Sequence, residues 1–187
     1  GLGRFGLSVV KTLSDLNCEV LAIDIIEDQV NLAANYVSHC AICDATKKQN
    51  LKELGVSDVD HAIVSIGGNF QASILTTINL KELGVPKITV RVDEESHIAV
   101  MTRLGADKVI IPEEESATSL ANEMVFDNLL DYYKVSKDFG VVQFKVGKNF
   151  KETTLIDMDS RNRFDINIVG IIRDDKFFIP KGTDLIK

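Results

Sequence analysis

Long apolar runs are missing from this chain: none approaches the roughly 20 residues a membrane-spanning helix needs. Positive charge is also in short supply. Twenty-one Lys and Arg stand against 28 Asp and Glu, a net charge of −7, which argues against a general binder of nucleic-acid backbone. Cysteine is sparse and odd in number, at Cys18, Cys40 and Cys43. Such a set excludes a disulfide framework and predicts a reducing compartment, the cytoplasm. No secretory leader, low-complexity stretch or long flexible linker is visible. Cys40 and Cys43 do have C-x-x-C spacing. A redox pair of that kind needs a helix N-terminus to lower one thiol pKa, whereas these two fall in a predicted strand, where positions three apart face opposite ways.

What remains is apolar enough to build a core. Hydrophobic residues make up 45% of the 187, sufficient for one large domain or a medium domain with a small one. Short strands and helices alternate. "EVLAID" (19–24) reads as a strand ending in an acid, and 27–36 as a helix. "HCAICDA" (39–45) is another strand, followed by a short helix over 47–54 that closes at Gly55. "HAIVSIGG" (61–68) is a buried strand running into glycines. Ile74, Leu75 and Ile78 form a helical stripe within 70–83 that ends at Gly84. "KITVRV" (87–92), a helix near 95–104 and "KVIIP" (108–112) follow. This alternation predicts βα repeats and a doubly wound parallel sheet covered on both faces.

Residues 114–130 read as one longer helix, with Ala117, Leu120, Ala121, Met124 and Val125 on one side. Beyond it the texture turns β-rich, in "GVVQFKV" and "INIVGIIR". We therefore place domains at 1–134 and 135–187. The second is small enough to be marginal alone. It is expected to pack against a second copy, to be truncated, or both.

"GLGRFG" opens the chain with G-x-G-x-x-G spacing. Alone this is a weak signal; its setting strengthens it. Gly6 opens a helix whose Val9, Val10, Leu13 and Leu16 can face a sheet. Asp24 ends the next strand 18 residues later, where an acid can accept hydrogen bonds from ribose hydroxyls. The glycines admit close backbone approach, and the helix N-terminus attracts phosphate. Asp44, Ala45 and Thr46 follow the next strand end, Ile66, Gly67 and Asn69 the one after, and Arg91 ends the fourth. Asn69 can cap the following helix. Ligands in such sheets bind beyond the carboxyl ends of the strands. Asp44 and Arg91, taken singly, read equally well as structural. Arg4 lies inside the glycine turn, where a guanidinium favours additional phosphate charge. Asp24 disfavours a 2′-phosphate, which speaks against NADP without separating NAD from ATP or ADP.

A dehydrogenase also needs an acid or base to serve the nicotinamide. His39 and His61 fall at strand starts, away from the ligand end, and His97 lies early in a surface helix with no evident partner. The C-terminal region offers neither a nucleophile elbow nor metal-ligand spacing. The nucleotide is therefore expected to be sensed rather than consumed.

"GLGRFG", "EVLAID", "CDAT", "AIVSIGGNFQASILTT", "LKELGV" and "LGADKVIIPE", in this order, resemble the KTN/RCK family of regulators of potassium conductance, and "NFQAS" resembles its KtrA branch. The resemblance covers nearly the whole chain. It implies a Rossmann-like domain followed by a small α+β domain of TrkA-C type, matching 136–187. It further implies a cytoplasmic homodimer that assembles into an octameric ring beneath a potassium-translocating membrane subunit, with no nucleic-acid partner. Members bind ATP or ADP, and some NAD or NADH. By this resemblance Gly1, Gly3 and Gly6 surround the phosphates, with Phe5 beside them. Arg4 reaches a terminal phosphate, and Asp24 holds the ribose. Asp44, Ala45 and Thr46 border the adenine, Ile66, Gly67 and Asn69 line the pocket, and Arg91 adds positive charge. Glu113 matches an acidic position that binds Mg2+ or Ca2+ at the dimer interface of some members; it reads equally as a helix-N-terminal acid. Arg161, Asn167 and Pro180 fall where some members bind cyclic di-AMP. The family's first strand precedes the glycine turn, so the sequence is expected to continue upstream of Gly1. Two other readings stay open: an NAD-dependent oxidoreductase, and the cytoplasmic tail of a ligand-gated potassium channel.

Overall fold

The structure, a computed structural model, describes residues 1–125, 129–136, 139–147 and 149–186. It divides into two units, Gly1–Ser116 and Ala117–Lys187.

In the first unit helices and strands alternate: α1 (Arg4–Asp15), β1 (Leu21–Asp24), α2 (Glu27–Ala33), β2 (His39–Ile42), α3 (Lys48–Glu53), a 3-10 turn (Val56–Asp58), β3 (His61–Val64), α4 (Phe70–Glu82), β4 (Lys87–Arg91), α5 (Ser96–Arg103) and β5 (Lys108–Ile110). Helix α6 (Pro112–Val125) starts in this unit and runs into the next. Every strand pair here is parallel, as βα repeats dictate. β1 pairs with β2, Asp24 lying opposite Ile42, and β3, β4 and β5 pair in that order, Val64 opposite Val90 and Arg91 opposite Ile110. The strands thus form two parallel sheets rather than the one expected from the sequence. Gly1 stands between them: its nitrogen donates to the Ile23 carbonyl (3.0 Å), and its carbonyl accepts from Ser65 Oγ (2.6 Å).

Two apolar clusters cover the sheets. Leu51, Val64, Leu80, Ile88, Val90 and Met101 join α3, α4 and α5 to β3 and β4. Leu2, Val10, Ala22, Val30 and Ala33 join α1 and α2 to β1. Ile88 and Val90 are fully buried, so β4 reads as the central strand of its sheet. The result is an α/β arrangement that brings strand carboxyl ends and helix N-termini together around Gly1.

The second unit contains the antiparallel pair β6 (Leu129–Lys134) and β7 (Gly140–Phe144), then β8 (Thr153–Thr154), α7 (Leu155–Met158), α8 (Ser160–Phe164), β9 (Ile171–Arg173), β10 (Lys176–Phe178) and β11 (Leu185–Ile186). β8 pairs with β11, and β9 with β10, both antiparallel. Thr154 caps α7, its hydroxyl accepting from the Asp157 N–H (3.1 Å). Asp174 and Asp175 turn β9 into β10 with φ of 50° and 58°, the left-handed pair a two-residue hairpin turn of this twist requires.

The helix expected over 114–130 ends at Val125, and residues 129 and 130 belong to β6. Leu120 and Met124, which the sequence places on one side of this helix, are 58% and 76% exposed. The helical period continues in the sequence past Val125, but pairing with β7 wins. Among the described residues no helix is long and apolar enough to cross a membrane.

Candidate functional site

The glycines of the opening turn differ in what surrounds them. A Cβ on Gly1 would lie 2.7 Å from the Ser65 carbonyl oxygen, and one on Gly6 would overlap the Gly1 carbonyl. These two glycines let the turn close onto the end of β3. A Cβ on Gly3 meets nothing within 4 Å. Gly3 is the N-cap of α1, it supplies no capping side chain, and the first turn holds no acidic residue. The helix N-terminus therefore keeps amide N–H groups and its positive dipole end open to an anion.

Asp24 is fixed at the rim of this turn. Its Oδ2 accepts from the Leu2 N–H (2.5 Å) and its Oδ1 from the Ile26 N–H (2.9 Å). Each carboxylate oxygen has a second lone pair for a hydroxyl donor. The next strand end is tied to it, Cys43 N–H donating to the Asp24 carbonyl at 2.8 Å. There Asp44 Oδ1 accepts from both the N–H (3.1 Å) and the hydroxyl (2.6 Å) of Thr46. The Thr46 hydroxyl, then its N–H, holds the Asp44 carboxyl below the usual range. Burial pushes the Cys40 thiol up. Burial, then Asp44 and Glu53, pushes Cys43 up. Both cysteines thus stay thiols at neutral pH, the reverse of an activated redox pair.

After β3, Gly68 turns with φ of 71° and donates its N–H to Asp93 Oδ2 (3.2 Å). Asn69 Oδ1 accepts from the Ala72 N–H (3.0 Å) and caps α4. Gly67 lies under Arg91: a Cβ there would stand 2.9 Å from the guanidinium Nη1. Arg91 Nη2 bonds Glu113 Oε1 at 2.8 Å and Asp93 Oδ1 at 2.9 Å. The Arg91 side chain is 18% exposed, and among the described residues its buried Nε has no hydrogen-bond partner.

Arg4, Phe5, Ser8, Arg91 and Glu113 line one open cleft of about 420 Å³, within the size range of small-molecule sites. Gly67 backs Arg91 there, Gly1 and Gly6 carry α1 to it, and Ser8 Oγ bonds the Arg4 carbonyl at 2.9 Å. Asp44, Ala45 and Thr46 stand beside Asp24, on a neighbouring strand end. Ile66 is packed into the first apolar cluster. In the second unit Arg161 Nε donates to Asn167 Oδ1 (2.8 Å), and Pro180 follows β10. Among the described residues no group of three or more His, Cys, Asp or Glu stands where it could hold a metal.

The sequence missed four participants. Ser65 lay inside the quoted β3 motif, and its hydroxyl was the available signal. Asp93 stands two residues past Arg91. Ser8 follows Arg4 by one helical turn. Asn79 reaches the 44–46 loop from α4, which no local pattern reveals. The sequence also left His97 without a partner. Its ring stacks on Phe70, centroids 3.6 Å apart and planes 11° apart, with Glu94 at 4.0 Å. Phe70 and His97 each open a helix after adjacent strands, so the contact is one of topology rather than spacing.

The TrkA-N domain family model matches residues 1–112. Ktr system potassium uptake protein C of Bacillus subtilis (strain 168) is 44% identical over 187 residues, 100% of this chain and 85% of that protein. Ktr system potassium uptake protein A of the same organism is 37% identical, over 100% of this chain and 85% of its own. The GsuK channel bound to NAD, a solved structure, aligns with a TM-score of 0.68 at 14% identity, over 98% of this chain and 34% of that one. That last likeness bears on fold alone. With a glycine turn at an open helix end, an acid closing the following strand and full-length relatives of this similarity, the chain belongs to the KTN/RCK family, as a TrkA-N domain protein related to the Ktr potassium uptake proteins.

Proposed function

We propose that the chain is a nucleotide-sensing regulatory subunit of a potassium uptake system, cytoplasmic and attached to its membrane partner. The observation that carries this reading is the pairing of Arg4 and Arg91 in one cleft at the uncapped N-terminus of α1. The residues present fit a nucleotide. Gly3 leaves open space where a phosphate must approach, Asp24 offers acceptors for ribose hydroxyls, and two guanidinium groups offer donors to phosphate oxygens. Full-length similarity to Ktr potassium uptake proteins supports the potassium partner.

The nucleotide supplies negative charge that differs by one phosphoryl group between ATP and ADP. Arg4 is the residue assigned to count it. Two ring shapes that differ 100-fold in ATP affinity are separated by about 2.7 kcal/mol per site. A homodimer closing into an octameric ring adds that energy over its sites. The apolar side chains exposed on the second unit, Phe144, Phe164, Phe177 and Ile179 among them, support burial against other copies. Glu113 offers one carboxylate per chain, so Mg2+ or Ca2+ there needs a second copy's carboxylate. Residues 135–187 form the TrkA-C-type domain of this reading, and the Arg161–Asn167 pair with Pro180 is its place for cyclic di-AMP.

Titration calorimetry with ATP, ADP, NADH and NADPH tests the proposal on wild type and Arg4→Ala. ATP is expected to bind more tightly than ADP, and Arg4→Ala to weaken ATP about tenfold or more and ADP less. Equal affinities that the substitution leaves unchanged overturn it.

A further inference from the structure

The loop after β2 is held by side chains from outside it. Asn79 Nδ2, on α4, donates to the Ala45 carbonyl at 3.2 Å and the Thr46 carbonyl at 2.9 Å. Asn50 Nδ2, on α3, donates to the Asp44 carbonyl at 3.3 Å. All three carbonyls of Asp44-Ala45-Thr46 are thereby occupied by asparagine amides. Both Asn79 partners are carbonyl oxygens, so the amide nitrogen must face the loop. A Lys48–Glu82 ion pair (2.8 Å) links the same two helices. Within the loop, Asp44 Oδ1 is taken by Thr46, while Oδ2 pairs with the exposed Lys47 ammonium at 3.6 Å.

This arrangement has a chemical consequence. With each loop carbonyl aimed at an asparagine amide, the charged acceptor the loop can offer a ligand is the Asp44 carboxylate, chiefly Oδ2. It lies in the loop just past the strand that pairs with the one Asp24 ends, the side on which the nucleotide reading above puts the base. A 6-amino purine brings an N–H donor to that carboxylate. A 6-keto purine brings an oxygen with lone pairs, and two acceptors facing each other repel. If the Ala45 and Thr46 carbonyls were released, the loop could turn them outward and Asp44 would lose its fixed aim.

We propose that Asn79 is a positioning residue for base selectivity: it fixes the loop so that Asp44 presents its carboxylate to a 6-amino purine and rejects a 6-keto purine. This rests on the nucleotide reading above and goes beyond it.

The test is calorimetry of the full-length protein with ATP and with inosine triphosphate, which differ only at the purine 6-position and its adjacent ring proton. Wild type is expected to prefer ATP at least tenfold. Asn79→Ala should weaken ATP about tenfold and inosine triphosphate less than threefold, collapsing the ratio. Asn79→Asp, equal in size but turning an acceptor toward two carbonyls, should collapse it further. A melting curve without nucleotide reports whether each variant folds; Asn50→Ala, which leaves the third carbonyl only its bond from the Lys47 N–H (3.1 Å), reads the same ratio if neither does. A folded Asn79→Ala with an unchanged ratio overturns the inference, as does a wild type that binds both nucleotides equally. Failure of wild type to bind ATP at all overturns the nucleotide reading instead, and the inference with it.

Discussion

One methyl group added at Gly6, and separately at Gly3, should separate packing from ligand approach within a single hexapeptide. At Gly6 the new Cβ overlaps the Gly1 carbonyl oxygen and comes within 2.7 Å of Ser65 Oγ. Those two groups are bonded to each other at 2.6 Å. Relieving the overlap breaks that bond, a loss of about 1 kcal/mol. It also pushes the turn off the end of β3, an overpacking strain of about 1–3 kcal/mol. Alanine's better helix propensity returns about 1 kcal/mol. The net loss is about 1–3 kcal/mol, and at about 2–4 °C per kcal/mol for a chain of this size the melting temperature falls by about 2–12 °C. At Gly3 the added Cβ meets nothing within 4 Å, and the φ of −61° is open to any residue. Exchanging glycine for alanine at an N-cap costs about 0.5 kcal/mol, so Gly3→Ala should melt within about 2 °C of wild type. The same methyl stands where phosphate must approach the helix amides, and ATP affinity should fall tenfold or more. Scanning calorimetry and titration calorimetry on the two variants measure both effects. Gly3→Ala melting as low as Gly6→Ala, or binding ATP as wild type does, refutes the division of roles.

Two further outcomes follow from local chemistry. His61 donates or accepts at Thr89 Oγ1 (2.9 Å), and its pKa is lowered by burial first and Lys87 second, with Asp107 acting in the opposite direction. The unfolded chain protonates it near pH 6.5 while the folded chain does so only at lower pH. Stability should therefore decline as pH falls from about 6.5 toward the folded value; in thermal melts between pH 5 and 8, His61→Gln should flatten that slope, and an unchanged slope counts against it. In the β9–β10 turn, Asp174 and Asp175 hold left-handed φ values of 50° and 58°. Replacing them with Asn-Gly should raise stability by about 1 kcal/mol, read as a higher urea midpoint; a lower midpoint shows that the aspartates serve another contact.

The alternation of elements was legible because the strands of the first unit are short and apolar, and most run into a glycine or a charged residue. Gly55, Gly84 and Gly105 do take left-handed φ after their helices. The ends of β1, β3 and β4 were legible for the same reason, since Asp24, Gly67 and Arg91 interrupt apolar runs. The extent of α6 was not. Leu129 and Leu130 extend its helical stripe in sequence, and only pairing with residues 140–144 assigns them to a strand. Contacts between distant segments were equally hidden. Ser65 to Gly1 spans 64 positions and Asn79 to Ala45 spans 34, and a local pattern carries no signal at such separations. The sequence named the strand ends that form the crevice; it could not name the side chains that hold those ends in place.

Arg91 shows how such a crevice converts bound charge into a change of shape under the proposed function. Its guanidinium is shared by Asp93 (2.9 Å) and Glu113 (2.8 Å). Arg4 and Arg91 contribute +2 and the two carboxylates −2, so this group of four carries no surplus positive charge. A phosphate entering the cleft gains little unless one carboxylate leaves. Glu113 is the one free to go, because its side chain is 64% exposed and a surface ion pair of that kind contributes only about 0–1 kcal/mol. Asp93 is held additionally by the Gly68 N–H. Each added phosphoryl charge that Arg4 draws into the cleft strengthens the competition for Arg91, so a triphosphate displaces Glu113 more completely than a diphosphate. Glu113 sits in the first turn of α6 beside Glu114 and Glu115, and α6 is the element that runs from the first unit into the second. Under the proposed function the count of phosphates is thereby expressed at the first turn of α6, with no reacting group needed.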